Sequence, residues 1–501
     1  MSGQVHVVFP NQLFEAHLEA PPDTRFVLVE DDLFFRLYRF HTQKLVLHRA
    51  SMRRFADRLR GAGFEVSVVE TSADTPSTER LADVLRGLAP DRITVHEVVD
   101  DWCEQRLAEV CEAVGCPLDP DDVLDTPAFL TTNAQLQEQL GGRGGRGARP
   151  RMQHFYRWQR QRLDILVDGE QPVGGQWSFD QDNRKKLPKD VVPPELGWPQ
   201  RHPAVDEAVE WVGQEFPDNP GEADGFAWPT SHAEAGAWLE QFLQERLATF
   251  GPYEDAVSRA HPFLFHGVLS SSLNTGLLDP ADVVQRALAA AEEQQVPLAS
   301  IEGFVRQVIG WREYMRGAYV LWGRRMRHRN ALGHTRTLGP QWWTGETGLD
   351  PVDLVVGRVN ERAWAHHIER LMVAGNAMCL LRVHPEAVYE WFMELFIDAY
   401  DWVMVPNVYA MSQFAAGDAI TTKPYVSGSN YLRKMSDVPK GDWTEVWDAL
   451  YWHFVADHAD VFAANPRSQM IARHLEGHDE ETRARHRRIA TQAIEELTRP
   501  G

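Results

Sequence analysis

Two adjacent histidines, His366 and His367, are the side chains in this sequence best suited to proton transfer. Histidine titrates near neutrality and can donate a proton to a reacting group in a pocket. Neighbouring residues on a helix point about 100° apart, so we do not expect the pair to share a metal ion. A satisfied histidine in the core or at the surface is the other interpretation, and position alone leaves both open.

Three polar side chains, Asp398, Asp401 and Asn407, lie on a predicted helix and on the turn expected at Pro406. Carboxylates near the C-terminus of a helix face its partial negative charge, so they need a compensating partner. Arg370 is a candidate for that partner, and a ligand that donates hydrogen bonds is another.

Tryptophan is used 17 times, with much of it in the C-terminal half of the chain. Most of these indoles are expected to fill the core, with their N–H groups hydrogen-bonded. A minority beside a redox cofactor could instead relay electrons.

Arginines alternate with aromatic residues in the segment 143–162, and a second basic run occupies 183–186. This mixture suits phosphate contact and base stacking, although a solvated face on a mobile loop has the same composition. The candidate DNA-binding residues are Arg157, Arg160, Arg184 and Lys185.

The chain has 501 residues and a net charge of −21, so two or three domains are expected. The acidic excess argues against a general nucleic-acid coat protein but allows a local basic groove. No apolar run reaches the length of a membrane span, and the N-terminus lacks the pattern of a secretion signal. We therefore expect a cytoplasmic protein without membrane association. Its four cysteines fit neither a zinc knuckle nor a disulfide framework and are predicted to be reduced thiols.

Short β-branched runs at 5–9, 25–30, 64–70 and 92–98 alternate with helical patterns at 44–61 and 77–87. This alternation predicts a parallel, doubly wound sheet, although no GxGxxG motif follows the first strand. The segment 168–231 is rich in Pro, Gly and Asp and indicates a connector, and helical periodicity follows it. We predict an α/β domain over 1–130, a linker over 131–230 and an all-helical domain over 231–501.

Several long motifs, in order, resemble the photolyase/cryptochrome superfamily, in the bacterial branch named for its iron–sulfur cluster. The linker MQHFYRWQRQRLDILVDGEQPVGGQWSFDQDNRKKLP (152–188) and the flavin-pocket helix FVRQVIGWREYMRG (304–317) are two of them. FGPYEDAV (250–257), SSSLNTGLLDP (270–280) and WAHHIERLMVAGN (364–376) are similar to further motifs, as are DAYDWVMVPNVYAMSQFA (398–415) and TTKPYVSGSNYLRKMSD (421–437). The resemblance covers nearly the whole chain.

The resemblance implies an N-terminal Rossmann-like antenna domain, a helical FAD-binding domain and a monomer that acts on UV-damaged DNA. It implies light-driven repair of (6-4) photoproducts, in which reduced FAD injects an electron into a flipped-out lesion. Flipping costs a few kcal/mol and costs less for a damaged base. A cryptochrome-type blue-light photoreceptor with little or no repair activity is the alternative. A light-independent nucleic-acid-binding protein that kept only the fold is a third reading.

Matched positions imply roles for individual residues. His366 and His367 match the pair that (6-4) photolyases place beside the lesion, and one of them would supply a proton. Tyr425 and Tyr431 match lesion-pocket tyrosines, and Trp391 matches part of an electron-transfer route. Arg370 and Asp401 match residues that contact one another and the flavin ring, and Asn407 matches the position near flavin N5. The remaining positions implied to line the FAD site are His266, Gly267, Leu269, Ser270, Ser271, Ser272, Leu273, Gln307, Trp311 and Arg312.

Two further sites are implied by position. Gln12, Glu30 and Lys44 fall where the branch binds the antenna 6,7-dimethyl-8-ribityllumazine, although PNQL stands in place of the family's GDQL. Asp255 matches a carboxylate that holds Mg²⁺ near the DNA.

The sequence departs from the branch at the four cysteines that ligate its [4Fe–4S] cluster, which requires thiolates. Pro351, Pro439, Asp442 and Glu445 stand at or near those positions, and Cys379 lies elsewhere on a helix. We therefore predict no [4Fe–4S] cluster, and we expect Trp443 and Trp447 to pack the region by apolar contact. The hypothesis is that the cluster is structural in this branch and that this chain has replaced it.

Overall fold

The computed structural model of the chain describes residues 3–141 and 151–501. The sequence predicts a flexible loop over the Gly- and Arg-rich segment 141–150, of which residues 142–150 lie outside the described residues.

The N-terminal part is built on a five-stranded parallel sheet with the strand order β3-β2-β1-β4-β5. Its strands are β1 Gln4–Val8, β2 Arg25–Val29, β3 Glu65–Val69, β4 Arg92–His96 and β5 Val123–Leu124. Nearly every residue of β1 and β2 is buried, which is why these strands read as continuous β-branched runs. The strand order reverses between β1 and β4, the place where open α/β sheets bind ligands.

Helices cover this sheet and continue through the connector. They are α1 Asp32–Phe35, α2 Thr42–Gly61, α3 Ser77–Leu88, α4 Asp101–Ala113, α5 Asn133–Leu140, α6 Met152–Leu163 and α7 Pro203–Glu215. Short 3₁₀ turns occupy Glu15–Glu19, Pro120–Asp122 and Val173–Gly175, and β6 Val167–Asp168 pairs with β7 Gln171–Pro172.

The C-terminal part is helical. Its α-helices are α8 His232–Glu245, α9 Leu247–Phe250, α10 Ser270–Thr275, α11 Pro280–Glu293, α12 Leu298–Val305, α13 Glu313–Arg327, α14 Gln341–Thr344, α15 Asp350–Arg362, α16 Asn376–Leu380, α17 Pro385–Leu395, α18 Asp401–Val405, α19 Ser429–Met435, α20 Trp443–Asp457, α21 Ala459–Ala463, α22 Gln469–Glu476 and α23 Glu480–Leu497. A 3₁₀ turn lies at Gly251–Tyr253, and β8 Arg336–Leu338 pairs with β9 Thr498–Pro500. Three π-helical segments, π1 Arg306–Arg312, π2 Glu369–Gly375 and π3 Pro406–Ser412, interrupt the α-helices.

The predicted fold class, an α/β domain followed by a helical one, is confirmed. Two local expectations are wrong. Helix α7 lies inside the segment predicted as a connector and packs on α2, where Glu207 pairs with Arg49 at 2.8 Å. The chain also does not turn at Pro406, since α18 continues into π3. Asp401 is the first residue of α18, so it lies at the N-terminus of a helix and not near a C-terminus. A carboxylate there is favoured by the helix dipole.

Helix α2 joins the two parts of the molecule. Lys44 is fully buried, and its Nζ donates hydrogen bonds to the carbonyls of Met393 at 3.1 Å and Ala399 at 2.6 Å. One turn later His48 bonds the Tyr400 hydroxyl at 2.8 Å. These buried polar contacts fix the orientation of the sheet against the helical part. No helix within the described ranges is long and apolar enough to cross a membrane.

Gly276, at the end of α10, provides a test of this junction. It has a φ of +85°, and a Cβ there would lie 2.7 Å from the Phe14 ring and 3.0 Å from the Leu13 nitrogen. We expect Gly276→Ala to lower the free energy of unfolding by about 2–4 kcal/mol, from backbone strain plus overpacking. Gly115→Ala is the matched control, because Gly115 has a φ of +78° but open space around it, and about 1–2 kcal/mol is expected there. Urea unfolding measures both, and equal losses would contradict the close approach.

Candidate functional site

A cavity of about 1460 Å³ opens in the helical part of the molecule. All three π-helical segments line it: π1 with Gln307, Trp311 and Arg312, π2 with Arg370, and π3 with Asn407. A π turn adds one residue per turn and re-aims the side chains that follow, which is why such turns collect at functional sites. The sequence does not reveal these segments, because apolar periodicity does not distinguish a π turn from an α turn.

His366 lies in the cavity wall just before the helix that contains π2, and it is buried. Its ring stacks on that of His266, with centroids 4.8 Å apart and an interplanar angle of 18°. Neither of its ring nitrogens makes a hydrogen bond to the described residues, and the nearest charged group is the Glu369 carboxylate, 3.5 Å from Nε2. Burial, with the charges of His266 and His367, holds the pKa of His366 well below 6.5, so the ring is neutral.

His367 differs from its neighbour in both exposure and charge. Nearly half of its side-chain surface is exposed, and its Nε2 lies 3.1 Å from Asp255 Oδ1. Burial by itself lowers the pKa of His367, but the hydrogen bond to Asp255 and the charge of that carboxylate outweigh it, so the pKa is raised. The pair therefore contains one neutral and one readily protonated imidazole. Ring nitrogens of His266, His366 and His367 approach within 4.8 Å, contrary to the expectation that adjacent histidines point apart.

Arg370 and Asp398 form a bidentate ion pair, with N–O distances of 2.8 and 2.9 Å. Arg370 Nε also donates to the Ala365 carbonyl at 2.6 Å, which fixes the backbone before His366. The predicted contact between Arg370 and Asp401 is wrong. Asp401 is buried outside the cavity wall and accepts hydrogen bonds from Tyr319, Arg327 and Tyr389.

Most of the predicted FAD residues meet at this cavity. Its wall contains His266, Gly267, Leu269, Ser270, Leu273, Gln307, Trp311, Arg312, Arg370 and Asn407. Ser271 and Ser272 are buried on α10 outside the lining, and the Ser271 hydroxyl has no partner among the described residues.

Part of the cavity wall, called the rim here, comes from α6, from the connector and from the chain just before and within α19. Tyr425, Tyr431, Arg157 and Arg184 line it, and Arg184 pairs with Asp180 and lies 3.8 Å from Asp255. Lys185 has an exposed side chain nearby in sequence. Asp255 thus already faces two cationic partners, and its predicted Mg²⁺ role stays a prediction.

Arg160 does not belong to this surface. It is fully buried, and its guanidinium donates to the backbone carbonyls of Ile165, Leu166 and Trp177. The prediction that Arg160 binds DNA is wrong, because these hydrogen bonds use the groups that a phosphate would need. Arg157, one helical turn earlier, is exposed and stacks over Trp177 at 4.8 Å.

Trp391 is fully buried behind the cavity wall. Its ring lies 5.1 Å from that of Phe392, which lines the cavity, and 6.1 Å from that of Trp342. Trp343, next in sequence, is only partly buried. The aromatic rings therefore lie in a series that leads from the cavity wall towards the surface. The electron-transfer role of Trp391 stays a prediction.

The side chains of the predicted antenna residues are bonded to other groups of the protein. Gln12 Nε2 donates to the His96 carbonyl at 2.7 Å, and Glu30 pairs with Arg49 at 3.1 Å. Lys44 donates to two backbone carbonyls of the helical part. The ribityllumazine site stays a prediction.

The segments that replace the cluster ligands come together in space. Pro351 is in the first turn of α15, and a Cβ on Gly441 would lie 3.6 Å from Asp350. Trp443 and Trp447 are buried with perpendicular rings 6.1 Å apart, and Trp443 Nε1 donates to the Pro439 carbonyl at 3.0 Å. The four cysteines are free thiols, as predicted.

Comparison with known proteins identifies the family. The deoxyribodipyrimidine photo-lyase-related protein family matches residues 6–228, and the FAD binding domain of DNA photolyase matches residues 304–473. A (6-4) photolyase of Agrobacterium fabrum (strain C58 / ATCC 33970) is 36% identical over 446 residues, which cover 85% of each chain. The chain belongs to the photolyase/cryptochrome superfamily.

Within this superfamily it falls in the deoxyribodipyrimidine photo-lyase-related branch. Its fold is similar to the crystal structure of a bacterial class III photolyase from Agrobacterium tumefaciens, with a TM-score of 0.60, 17% identity and coverage of 99% and 98% of the two chains. The cryptochrome of Synechocystis sp. PCC6803 gives a TM-score of 0.59 at 15% identity over 94% of each chain. The fold alone therefore does not separate a photolyase from a cryptochrome.

The cavity fits the FAD that this family binds. Ligand pockets commonly have volumes of about 300–1,000 Å³. The volume of this cavity, about 1460 Å³, is larger than that range, so a dinucleotide fits and leaves space beside it. Arg312 and Arg370 offer positive charge to the flavin, and Arg312 Nε has no hydrogen-bond partner among the described residues. Donors held without partners in a buried wall are the groups that a bound polar ligand satisfies.

Asp398→Asn tests the ion pair behind the cavity. It leaves the mostly buried Arg370 guanidinium without a carboxylate, so we expect the free energy of unfolding to fall by about 3 kcal/mol and bound FAD to be lost. Asp83→Asn is the control, since Asp83 pairs with Arg86 at 2.7 Å on the surface and about 0.5 kcal/mol is expected there. Urea unfolding and flavin absorbance measure the two effects, and equal losses would contradict the role given to Asp398.

Proposed function

We propose that this protein is a light-driven DNA-repair enzyme that acts on (6-4) photoproducts. The observation that carries the proposal is the histidine pair in the cavity wall, where burial lowers the pKa of His366 and the contact with Asp255 raises the pKa of His367. A pair of titratable groups with opposite pKa shifts is typical of acid–base chemistry. The 36% identity to a (6-4) photolyase supports the same reaction.

The cavity has two chemically different sides. His266, Ser270, Arg312, Arg370 and Asn407 would hold FAD, which supplies a light-excited electron donor when it is bound and reduced. The rim residues would take the extruded lesion: Arg157 and Arg184 are exposed, and Tyr425 and Tyr431 are partly exposed. Arginines at this rim suit phosphates and the tyrosine rings suit base stacking.

His367 is placed to give a proton to the lesion, and His366 to orient it. The exposed edge of His367 reaches the open side of the cavity, and Asp255 favours its charged form. His366, neutral and without hydrogen-bond partners among the described residues, offers a donor or acceptor to the same substrate. Burial raises the pKa of Tyr431 to about 12 and, with the charge of Asp255, keeps it a hydroxyl that can donate.

A repair assay on purified protein with bound, reduced FAD tests this function. We expect light-dependent loss of (6-4) lesions from damaged DNA, and we expect His367→Asn to reduce the rate by about 10²–10⁴-fold while flavin photoreduction is unchanged. His474→Asn, on the exposed face of α22, is the control and should repair normally. Flavin that photoreduces while the wild-type protein leaves lesions untouched would reject the photolyase and favour the photoreceptor.

The pH dependence of repair tests the role of Asp255. A proton donor must be protonated, so the single-turnover rate should fall as the pH rises through the raised pKa of His367. Asp255→Asn removes the charge that raises this pKa, so the falling limb should move to lower pH. Measuring at saturating DNA separates this shift from weaker binding. If the falling limb of the pH–rate profile lies at the same pH in Asp255→Asn as in the wild type, His367 is not the group that titrates.

We also propose that the protein functions without a [4Fe–4S] cluster. The support is the replacement of the family's cysteines and the packing of Trp443 and Trp447 between the same segments. Iron analysis of the flavin-containing protein should find no stoichiometric iron, and about four irons per chain would overturn this proposal.

A further inference from the structure

Three histidines converge in the N-terminal domain, far from the cavity. His6 is in β1, His96 ends β4, and His17 is in the 3₁₀ turn Glu15–Glu19 that follows β1. Their ring centroids are 4.9, 5.1 and 5.4 Å apart, with interplanar angles of 63–69°. The cluster lies between β1 and β4, where the strand order of the sheet reverses.

Each ring has one nitrogen occupied by a hydrogen bond. His6 Nδ1 bonds the Thr94 hydroxyl, His17 Nε2 the Gln12 carbonyl and His96 Nδ1 the Asp125 carbonyl, each at 2.8 Å. Because a carbonyl can only accept, the bonded nitrogens of His17 and His96 carry the protons. The Thr94 hydroxyl lies 2.8 Å from His6 Nδ1 and 3.4 Å from the Val5 carbonyl. When it donates to that carbonyl, His6 Nδ1 is the protonated nitrogen and Nε2 is free to bind a metal ion.

The other ring nitrogen of His17 and that of His96 are therefore free lone pairs. One ring nitrogen of each of the three histidines lies within 4.8 Å of one ring nitrogen of the other two, and buried His6 Nε2 has no hydrogen-bond partner among the described residues. A metal ion among them would give these nitrogens a partner. Hydrogen bonds from the far nitrogens to hydroxyl or carbonyl groups are also how proteins orient metal-binding histidines.

We propose that His6, His17 and His96 bind one zinc ion. A tetrahedral zinc about 2.1 Å from each nitrogen holds the centres of its imidazole rings roughly 5.2 Å apart, and the observed spacings bracket this value. The near-equal interplanar angles of 63–69° are compatible with three rings arranged around one central ion. His96 is partly exposed, so water can occupy the fourth position.

The chemistry of the donors favours zinc over harder cations. Three imidazoles without a carboxylate suit zinc and related transition metals, whereas Mg²⁺ and Ca²⁺ prefer oxygen ligands. Burial lowers the pKa of His17 to about 3 and also lowers those of His6 and His96, so the rings are neutral and able to ligate. The aromatic rings of Phe14, Phe26 and Phe55 surround the cluster and limit competition by water.

The metal would anchor the loop after β1 to the sheet. This loop contacts the helical domain, since the Leu13 nitrogen donates to the Thr275 carbonyl at 2.9 Å and the Leu13 carbonyl bonds His232 Nε2 at 2.8 Å. Thr275 belongs to α10, whose Ser270 lines the cavity. We therefore expect zinc to stabilise the junction between the two domains.

Metal analysis of the full-length, flavin-containing protein tests the proposal. We expect one zinc per chain, a melting temperature that falls by several degrees after chelation, and recovery with one equivalent of Zn²⁺ but not with Mg²⁺. His96→Ala and His17→Gln should each lower the affinity for Zn²⁺ at least tenfold while the flavin spectrum shows that the protein is folded.

Two control variants locate the ion. His232→Gln disturbs the same loop from outside the cluster, and His367→Ala removes one of the cavity histidines, so both should keep their zinc. The proposal is overturned if the wild-type protein neither contains zinc nor gains thermal stability from it. It is also overturned if His96→Ala retains zinc or if His367→Ala loses it.

Discussion

The ion pair between Arg370 and Asp398 joins the segments that form the cavity. Arg370 belongs to π2 and also binds the Ala365 carbonyl, which sets the backbone of the histidine pair. The Asp398 carbonyl accepts from Asn274 of α10, and the next carbonyl, at Ala399, accepts from Lys44 of the N-terminal domain. Burial lowers the pKa of Lys44 to about 7, and the charge of Asp398 opposes that shift. The cavity wall, the backbone of the histidine pair and the domain junction therefore share one electrostatic anchor.

Burial and charge then divide the histidine pair. Both rings lie in one wall, yet His366 stacks on His266 in the interior while His367 faces a carboxylate at the open side. The desolvation that lowers the pKa of His366 acts on His367 as well, and the contact with Asp255, together with the charge of Glu254, reverses its effect. A difference of a few ångströms in position thus produces two chemical roles from one residue type.

The N-terminal domain uses histidine differently. The cluster of His6, His17 and His96 lies on strands and a turn that the backbone holds in register, so its geometry is set before any ligand binds. Its aromatic surroundings and its hydrogen-bonded outer nitrogens separate it from the cavity histidines, whose neighbours are charged. The molecule therefore has two histidine clusters, one suited to a substrate and one to a metal ion.

The sequence by itself determined the parallel sheet, the helical second half, the family and most of the cavity residues. It could do so because strand and helix periodicity are local properties and the family motifs are long and occur in order. It could not determine that Asp401 bonds Arg327 while Asp398 bonds Arg370, or that Arg160 turns inward. The π turns and the His6 cluster were also hidden, because partners up to 90 residues apart meet only through strand register. Only the tertiary structure decides which charges are paired, since pairing depends on distances that no local pattern encodes.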